Sequence, residues 1–106
     1  PGGNVYSATK FAVDGLTEGM RLDLTPKGIK VSQIAPGMAK TAFSDVRFHG
    51  DLQKAEAVYR GMQPLSPEDV AEVIGYMACA PAHVNLADVL LMPAAQASST
   101  IVRRQE

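Results

Sequence analysis

The sequence predicts an α/β architecture, in which helices alternate with parallel strands. Three observations support this: a helical pattern over residues 5–25, an alternating strand pattern over Ile29–Ala35, and a second strand pattern over Asn85–Met92. The long connection between the two strands contains helical patterns of its own, which favours parallel pairing. Because two strands are too few for an independent parallel sheet, we expect the first strand to keep one edge without a partner in this chain.

The first helix is predicted by apolar residues that recur at helical spacing, at Val5, Ala8, Ala12, Leu16 and Met20. Small residues form a strip along it, at Ala8, Ala12, Gly15 and Gly19. Two interior glycines cost about 1 kcal/mol each relative to alanine, which indicates close packing against a neighbour. Pro26 and Gly28 predict the end of this helix.

The remaining elements follow from turn and cap signals. Pro36-Gly37 ends the first strand, and a mobile stretch is expected from Met38 to about Asp51. A short helix is predicted over Leu52–Met62. Ser66 and the proline and acidic residues after it predict the start of another helix. The buried face of this helix is expected at Val70, Val73, Ile74 and Met77. Residues 93–106 are small and polar and are predicted to form a C-terminal tail.

Composition bounds the class of protein. Apolar residues make up 46% and charged residues 20%, which is ordinary for a globular domain. The net charge of −1 gives no electrostatic reason to expect nucleic acid or an anionic membrane as a partner. The single cysteine, Cys79, cannot form an internal disulfide, so we expect a reducing, cytoplasmic location and a buried apolar role for this residue.

Tyr6 and Lys10 are the first candidate site residues, because they lie four positions apart at the start of the predicted helix. That spacing places both side chains on one helical face. A nearby ammonium and the positive end of a helix both favour a phenolate. The pair therefore predicts general acid–base chemistry on a substrate hydroxyl. A helix-start tyrosine beside a solvated lysine is the structural alternative.

The run Pro36-Gly37-Met38-Ala39-Lys40-Thr41 follows the first strand. Together with the Tyr-x-x-x-Lys of the preceding helix, it resembles the C-terminal half of the short-chain dehydrogenase/reductase family over essentially the whole chain. The resemblance implies the C-terminal part of a Rossmann-like, doubly wound parallel sheet with long helices. An ordinary turn at the end of a strand is the alternative for Pro36-Gly37.

Further stretches resemble the NADP-dependent 3-hydroxy acid dehydrogenases, at residues 2–6, 43–48, 65–70, 81–85 and 91–93. This implies an oxidoreductase that transfers a hydride between NADP and a small 3-hydroxy acid or related alcohol or carbonyl compound. By the same resemblance, Tyr6 is the general acid and base, and Lys10 holds the nicotinamide ribose and assists it. Cofactor contacts are implied for Tyr6, Lys10, Pro36, Gly37, Met38, Ala39, Lys40 and Thr41. The Met38 backbone would lie near the nicotinamide carboxamide, and residues 42–62 would form the substrate loop.

Several family features have no counterpart in this sequence: the glycine-rich turn, the residue that selects NADP over NAD, the catalytic serine and the active-site asparagine. We therefore expect residues 1–106 to be the C-terminal fragment of one domain whose dinucleotide-binding half is absent. NAD stays an alternative cofactor. The fragment alone is expected to be inactive.

The other polar residues leave alternatives open. Arg47 can meet a substrate carboxylate through its bidentate guanidinium, or it can pair structurally with Asp45 or Asp51. His49 and His83 have no second ligand at metal spacing, so no metal site is predicted. Arg103 and Arg104 are interpreted as a solvated end, although in this family the tail can reach a neighbouring subunit.

Two functions are therefore open. The chain is part of an enzyme with a small-molecule substrate, or it is a non-catalytic oligomerisation fragment of such an enzyme. The family implies a homo-oligomer, a dimer or a homotetramer, and a complex with the missing N-terminal half is the other partner expected.

Overall fold

The computed structural model describes residues 2–106, except for the side chains of Ser44 and Asp45; Pro1, which was predicted to lie in a loop, is outside the described residues. The described elements are α1 (Asn4–Leu24), a 3-10 turn (Thr25–Lys27), β1 (Gln33–Pro36), α2 (Ala42–Arg47), α3 (Leu52–Ala57), α4 (Pro67–Ala78) and β2 (Asp88–Leu91). The chain divides into two compact units, one formed by the residues up to Gln33 with Ala80–Asp88, and the other by Ile34–Cys79 with Val89–Glu106.

The first unit contains α1, whose predicted extent is confirmed to within a residue at each end. Gly28 has a φ of 73° and donates its N–H to Thr25 O, so glycine fits the left-handed turn that ends the helical segment. Near the end of α1, Arg21 donates to Ala87 O at 3.0 Å and pairs with the Asp88 carboxylate at 3.2 Å. These bonds hold the helix to the segment that leads into β2.

The first strand is shorter than predicted, because residues 29–32 are not in a strand. Their polar groups are taken by side chains instead of a ladder: Asn85 donates its amide to Val31 O at 3.1 Å, and Ser32 Oγ donates to Asn85 Oδ1 at 2.8 Å. The expected strand over Ile29–Ala35 was therefore wrong in its first half. The predicted second strand is likewise reduced to Asp88–Leu91.

β1 and β2 form a two-stranded sheet. Gln33 N–H donates to Ala87 O at 2.8 Å, and four residues further along Gly37 N–H donates to Leu91 O at 2.7 Å. An equal step along both strands is the register of a parallel pair. Together with the helices, the parallel pair confirms the predicted α/β class.

The second unit contains the stretch from Met38 to Asp51, which was predicted to be mobile. The structure has a short helix there, α2, over Ala42–Arg47, and the mobility of the stretch stays a prediction. The next helix, α3, ends at Ala57 rather than Met62, and Asp51 caps its start by accepting from Lys54 N–H. An aspartate at this position is a common N-cap, so the start of α3 is fixed by a residue close to it in sequence.

The predicted start of α4 is confirmed. Ser66 Oγ accepts from Asp69 N–H at 3.1 Å, and Asp69 Oδ2 accepts from Ser66 N–H at 2.8 Å, which is a capping box with Pro67 at the first helical position. The predicted buried stripe is only half-buried, and Ile74 is exposed. Cys79 at the end of this helix is exposed, so its predicted burial was wrong.

Few described apolar side chains are buried: Val31, Ala55 and Leu65 form the core, and Pro93 is buried beside the end of β2. Within α1 itself, which is described throughout, no residue is buried. The tail folds back on itself through an antiparallel bridge between Gln96 and Val102. Of the helices in the described residues, none combines the length and the apolar character needed to cross a bilayer.

Candidate active site

Tyr6 and Lys10 lie in the first turns of α1, as their spacing predicts. The Lys10 Nζ atom is 5.4 Å from the centroid of the Tyr6 ring, so the cation lies over the aromatic face. Tyr6 is 54% exposed, and Lys10 is also exposed. The structure therefore brings the phenol and the ammonium together on one accessible helical face.

The helix start adds to this arrangement. Gly3 precedes α1 and makes no side-chain cap, and its carbonyl accepts from Ser7 N–H at 2.9 Å. Tyr6 is the third residue of the helix, where the N–H groups of the first turn give a partial positive charge. Thr9 Oγ1 donates to Tyr6 O at 2.7 Å and ties the first two turns together.

The second predicted group of site residues is the turn Pro36–Thr41 in the second unit. Gly37 is needed there for space: a Cβ atom on it would lie 2.5 Å from Gln96 Oε1 and 2.9 Å from the sulfur of Met92. Pro36 is exposed, and Gly37, Met38 and Ala39 are half-buried. The turn is thus close-packed on one side by residues that follow β2.

The backbone of this turn is held by bonds from distant parts of the unit. Met38 N–H donates to Gln96 Oε1 at 2.8 Å, and Met38 O accepts from Leu65 N–H at 2.9 Å. Lys40 N–H donates to Leu65 O at 2.8 Å, which completes a parallel bridge between Ala39 and Leu65. The Tyr59 hydroxyl donates to Ala39 O at 2.9 Å.

Thr41 is exposed at the end of the turn, and its Oγ1 accepts from Phe43 N–H at 3.2 Å. A hydroxyl that accepts retains its own proton to donate. The exposed Lys40 side chain carries a positive charge beside it. The end of the turn therefore offers a donor and a cation to an anionic ligand.

Arg47 is exposed in the last turn of α2, with its guanidinium carbon 5.9 Å from the centroid of the Phe48 ring. Asp51, one of its predicted structural partners, pairs with Lys54 at 3.6 Å instead. The other predicted partner, Asp45, has a side chain outside the described residues. Stacking on Phe48 leaves the edge of the guanidinium able to meet a carboxylate.

Other features of the described chain add no site residues. Within the part that the structure describes, no three or more His, Cys, Asp or Glu side chains gather as metal ligands would. A cleft beside α4 and the end of β2 is lined by residues such as Leu65, Val73 and Met92, and by none of the predicted site residues.

Tyr59 and Gln96 are contacts of the turn that were missed by reasoning from sequence. Tyr59 was included only in the broad substrate loop, and Gln96 only in the polar tail. Gln96 meets Met38 across 58 positions of chain, and Tyr59 meets Ala39 across 20. No local pattern encodes either pairing.

Comparison with known proteins shows which families and structures the chain is similar to. The sequence profile of the short chain dehydrogenase family matches residues 1–51. Sulfoacetaldehyde reductase 2 of Chromohalobacter salexigens is 48% identical over 99 residues, which cover 93% of this chain and 39% of that protein. The NADP-dependent 3-hydroxy acid dehydrogenase of Schizosaccharomyces pombe is 41% identical over 105 residues, covering 99% of this chain and 40% of that protein.

A solved structure gives the same result in three dimensions. The closed form of a serine dehydrogenase complexed with NADP+ superimposes with a TM-score of 0.87 and 39% identity, covering 100% of this chain and 43% of that one. The chain thus spans about two fifths of the length of these relatives. The predicted Rossmann-like fold class is confirmed, and so is the predicted resemblance to the short-chain dehydrogenase family, whose profile matches residues 1–51.

Proposed function

We propose that this chain carries the tyrosine and lysine of the active site of an NADP-dependent oxidoreductase. The observation that carries the proposal is the Tyr6–Lys10 pair, with its cation 5.4 Å from the ring centroid at the exposed start of α1. The family of the chain and the NADP+ of its structural relative support the same cofactor. NAD stays the alternative, because no described residue selects between the two.

In the proposed reaction, Tyr6 exchanges a proton with the oxygen of the substrate, as acid in reduction and base in oxidation. NADP, when bound, supplies or accepts the hydride. Lys10 faces the Tyr6 ring and holds the ribose hydroxyls of the cofactor. The exposed position of both side chains leaves them able to meet a ligand.

The turn Pro36–Thr41 fits the nicotinamide end of such a cofactor. Met38 O already accepts from Leu65 N–H, and a carbonyl oxygen has a second lone pair that can accept from a carboxamide. The Met38 N–H is engaged by Gln96, so we assign the carboxamide contact to the carbonyl rather than to the N–H. Thr41 can donate its hydroxyl proton to the carboxamide or the pyrophosphate.

We propose small acids as the substrate class. The substrates named for the relatives, sulfoacetaldehyde and 3-hydroxy acids, share one chemical pattern. In both, a single carbon separates an anionic acid group from the carbon that is reduced or oxidised. Arg47 is our candidate to bind that anion, because its guanidinium is exposed and can form two parallel hydrogen bonds to it.

Tyr6→Phe tests the proposal in a protein of full family length that carries these residues. We expect NADPH to be oxidised with sulfoacetaldehyde, and NADP+ to be reduced with a 3-hydroxy acid such as serine. The variant should lose activity by about a hundred- to ten-thousand-fold while it still binds NADPH. Tyr76→Phe removes a phenol hydroxyl from an exposed tyrosine of α4 and is the matched control. Near-normal turnover by Tyr6→Phe would remove the proposed role.

A non-catalytic assembly module is the second candidate, favoured by the exposed apolar surface of α1. Val5 is 79% exposed and Phe11 is 76% exposed, and large apolar side chains of this kind are normally covered in an assembled protein. A dimer, a homotetramer or a complex with the other half of the domain would each cover these side chains. We also propose a cytoplasmic location for the protein. A full-length protein that assembles but turns over no acid or alcohol would favour this candidate.

A further inference from the structure

The turn Pro36–Thr41 is braced by a glutamine whose own orientation is fixed. The Gln96 amide accepts from Met38 N–H through Oε1 at 2.8 Å and donates from Nε2 to Ser98 O at 3.2 Å. Its backbone N–H donates to Pro93 O at 2.9 Å. Because both ends of the amide are engaged, the oxygen stays directed at Met38.

Glycine at position 37 makes this brace possible. A Cβ there would approach Gln96 Oε1 to 2.5 Å, which is closer than real side chains allow. The backbone N–H of Gly37 also continues the strand pairing by donating to Leu91 O. Through Gly37, the turn therefore packs directly against the side chains of Met92, Pro93 and Gln96, which follow β2.

Tyr59 holds the next residue of the turn. Its hydroxyl donates to Ala39 O at 2.9 Å in a partly buried position. The tail in turn holds the residues on both sides of Tyr59, because the Arg104 guanidinium donates to Val58 O at 3.1 Å and to Arg60 O. Gln105 N–H donates to Gly61 O at 2.7 Å.

We infer that Gln96 and Tyr59 are positioning residues that hold the Met38–Ala39 backbone in place for the nicotinamide end of the cofactor. This inference rests on the proposed function. Neither side chain needs to touch the cofactor: each acts through one backbone group of the turn. The tail supports both: it contains Gln96, and its Arg104, which was interpreted from the sequence as part of a solvated end, bonds to the residues on both sides of Tyr59.

Positioning matters here because the proposed contact between the turn and the nicotinamide carboxamide is made by a backbone group, the carbonyl of Met38. Side-chain bonds from Gln96 and Tyr59 restrict Met38 and Ala39, and the bridge to Leu65 restricts them from a third position in the chain. Without one of these bonds, the turn samples more conformations, and cofactor binding must then restrict them. Cofactor affinity should therefore fall more than the rate of the chemical step.

Tyr59→Phe and Gln96→Met test the inference in the full-length protein, because each removes a hydrogen bond with little change in size. Each should weaken NADPH binding, measured by fluorescence titration, by roughly ten-fold, and raise the KM for NADPH while kcat changes little. Tyr76→Phe and Gln53→Met are the controls, since both residues are exposed on helices away from the turn.

Three outcomes would overturn the inference. The first is NADPH binding that is unchanged in both variants while the unmodified protein binds normally, which leaves the proposed function standing. The second is tighter binding by Gln96→Met, which would mean that the amide competes with the cofactor. The third is an unmodified full-length protein that binds no NADPH, which would overturn the proposed function as well.

Discussion

The ammonium of Lys10 lies over the face of the Tyr6 ring, 5.4 Å from its centroid. An ammonium carries three N–H donors, so Lys10 can bind a second partner as well. In the proposed reaction, this one side chain both faces the phenol and binds the hydroxyls of a ribose. The two roles should then fail together when the side chain is removed.

We therefore expect Lys10→Ala, in the full-length protein, to weaken cofactor binding and to lower activity together. Both effects follow because one side chain carries both proposed roles. Lys27→Ala, which removes an exposed lysine of the 3-10 turn, is the control. Initial rates, with a cofactor titration, check both effects. Rates and cofactor binding identical to those of the unmodified protein would show that Lys10 carries neither role.

Arg47 gives a second prediction for a single residue. If its guanidinium binds the acid group, Arg47→Ala should raise the KM for acid substrates by roughly ten- to a hundred-fold, the range for a charged hydrogen bond. The KM for neutral alcohols should change little, and Arg47→Lys should fall between. Steady-state kinetics on both substrate classes measure this. Equal losses on the two classes would point to a structural arginine.

Among the elements, α4 has the best-defined beginning. The hydrogen bond from Ser66 N–H, and then that from the Ser66 hydroxyl, lower the pKa of Asp69 below its ordinary value. A carboxylate with a lowered pKa stabilises the fold above the pKa of the unfolded chain, and this contribution is lost as pH falls through the lower, folded value. The cap should therefore stabilise α4 at neutral pH and weaken in acid.

Asp69→Asn should reduce the free energy of unfolding of the full-length protein at pH 7, and the deficit should shrink below about pH 4, where the unfolded carboxylate protonates. Ser66→Ala should cost about 1 kcal/mol, as expected for loss of an N-cap. Glu68→Gln, in the same helical turn, is the matched control. Urea denaturation at a series of pH values gives these numbers. A deficit that is the same at pH 3 and pH 7 would contradict the assigned cause.

The elements also show which parts of the fold could be predicted from the sequence. α1 and the start of α4 have local signals, a helical repeat in one and Ser66 with Pro67 in the other, and both predictions held. The strand predicted over Ile29–Ala35 failed at its first residues because Asn85 takes the Val31 carbonyl. The contact between Tyr6 and Lys10 was predictable because these residues share one helix, whereas Gln96 meets Met38 only through the tertiary fold.

At the scale of the whole molecule, burial is sparse. Val31, Ala55 and Leu65 are the buried apolar core of the described residues, while Leu16 and Leu22 of α1 are 65% and 73% exposed. A chain of this size gains little from burial relative to the entropy that it loses on folding. The edge of a short parallel sheet is also open to pairing with another chain.

The isolated 106-residue chain should therefore fold poorly or associate, and it should show no dehydrogenase activity and no specific NADP binding. Sedimentation, thermal unfolding followed by circular dichroism, and NADPH titration measure the three properties. The full-length protein under the same conditions is the control. A monodisperse monomer with cooperative unfolding would refute the first expectation, and turnover by that monomer would refute the second.

The side-chain bonds that hold α1 determine how far a tilt of this helix would move Tyr6. Side-chain bonds join this helix to Gln33 of β1 at Asp14, and to Ala87, just before β2, at Arg21. Tyr6 lies eight residues before Asp14, a lever arm of about 12 Å along the axis. A tilt of about 5° at Asp14 would move Tyr6 by about 1 Å, and a misplacement of that size can cost about a hundred-fold in rate. Substitutions along the exposed face of α1 that allow the helix to tilt would then slow proton transfer, although they contact neither the Tyr6 phenol nor the substrate.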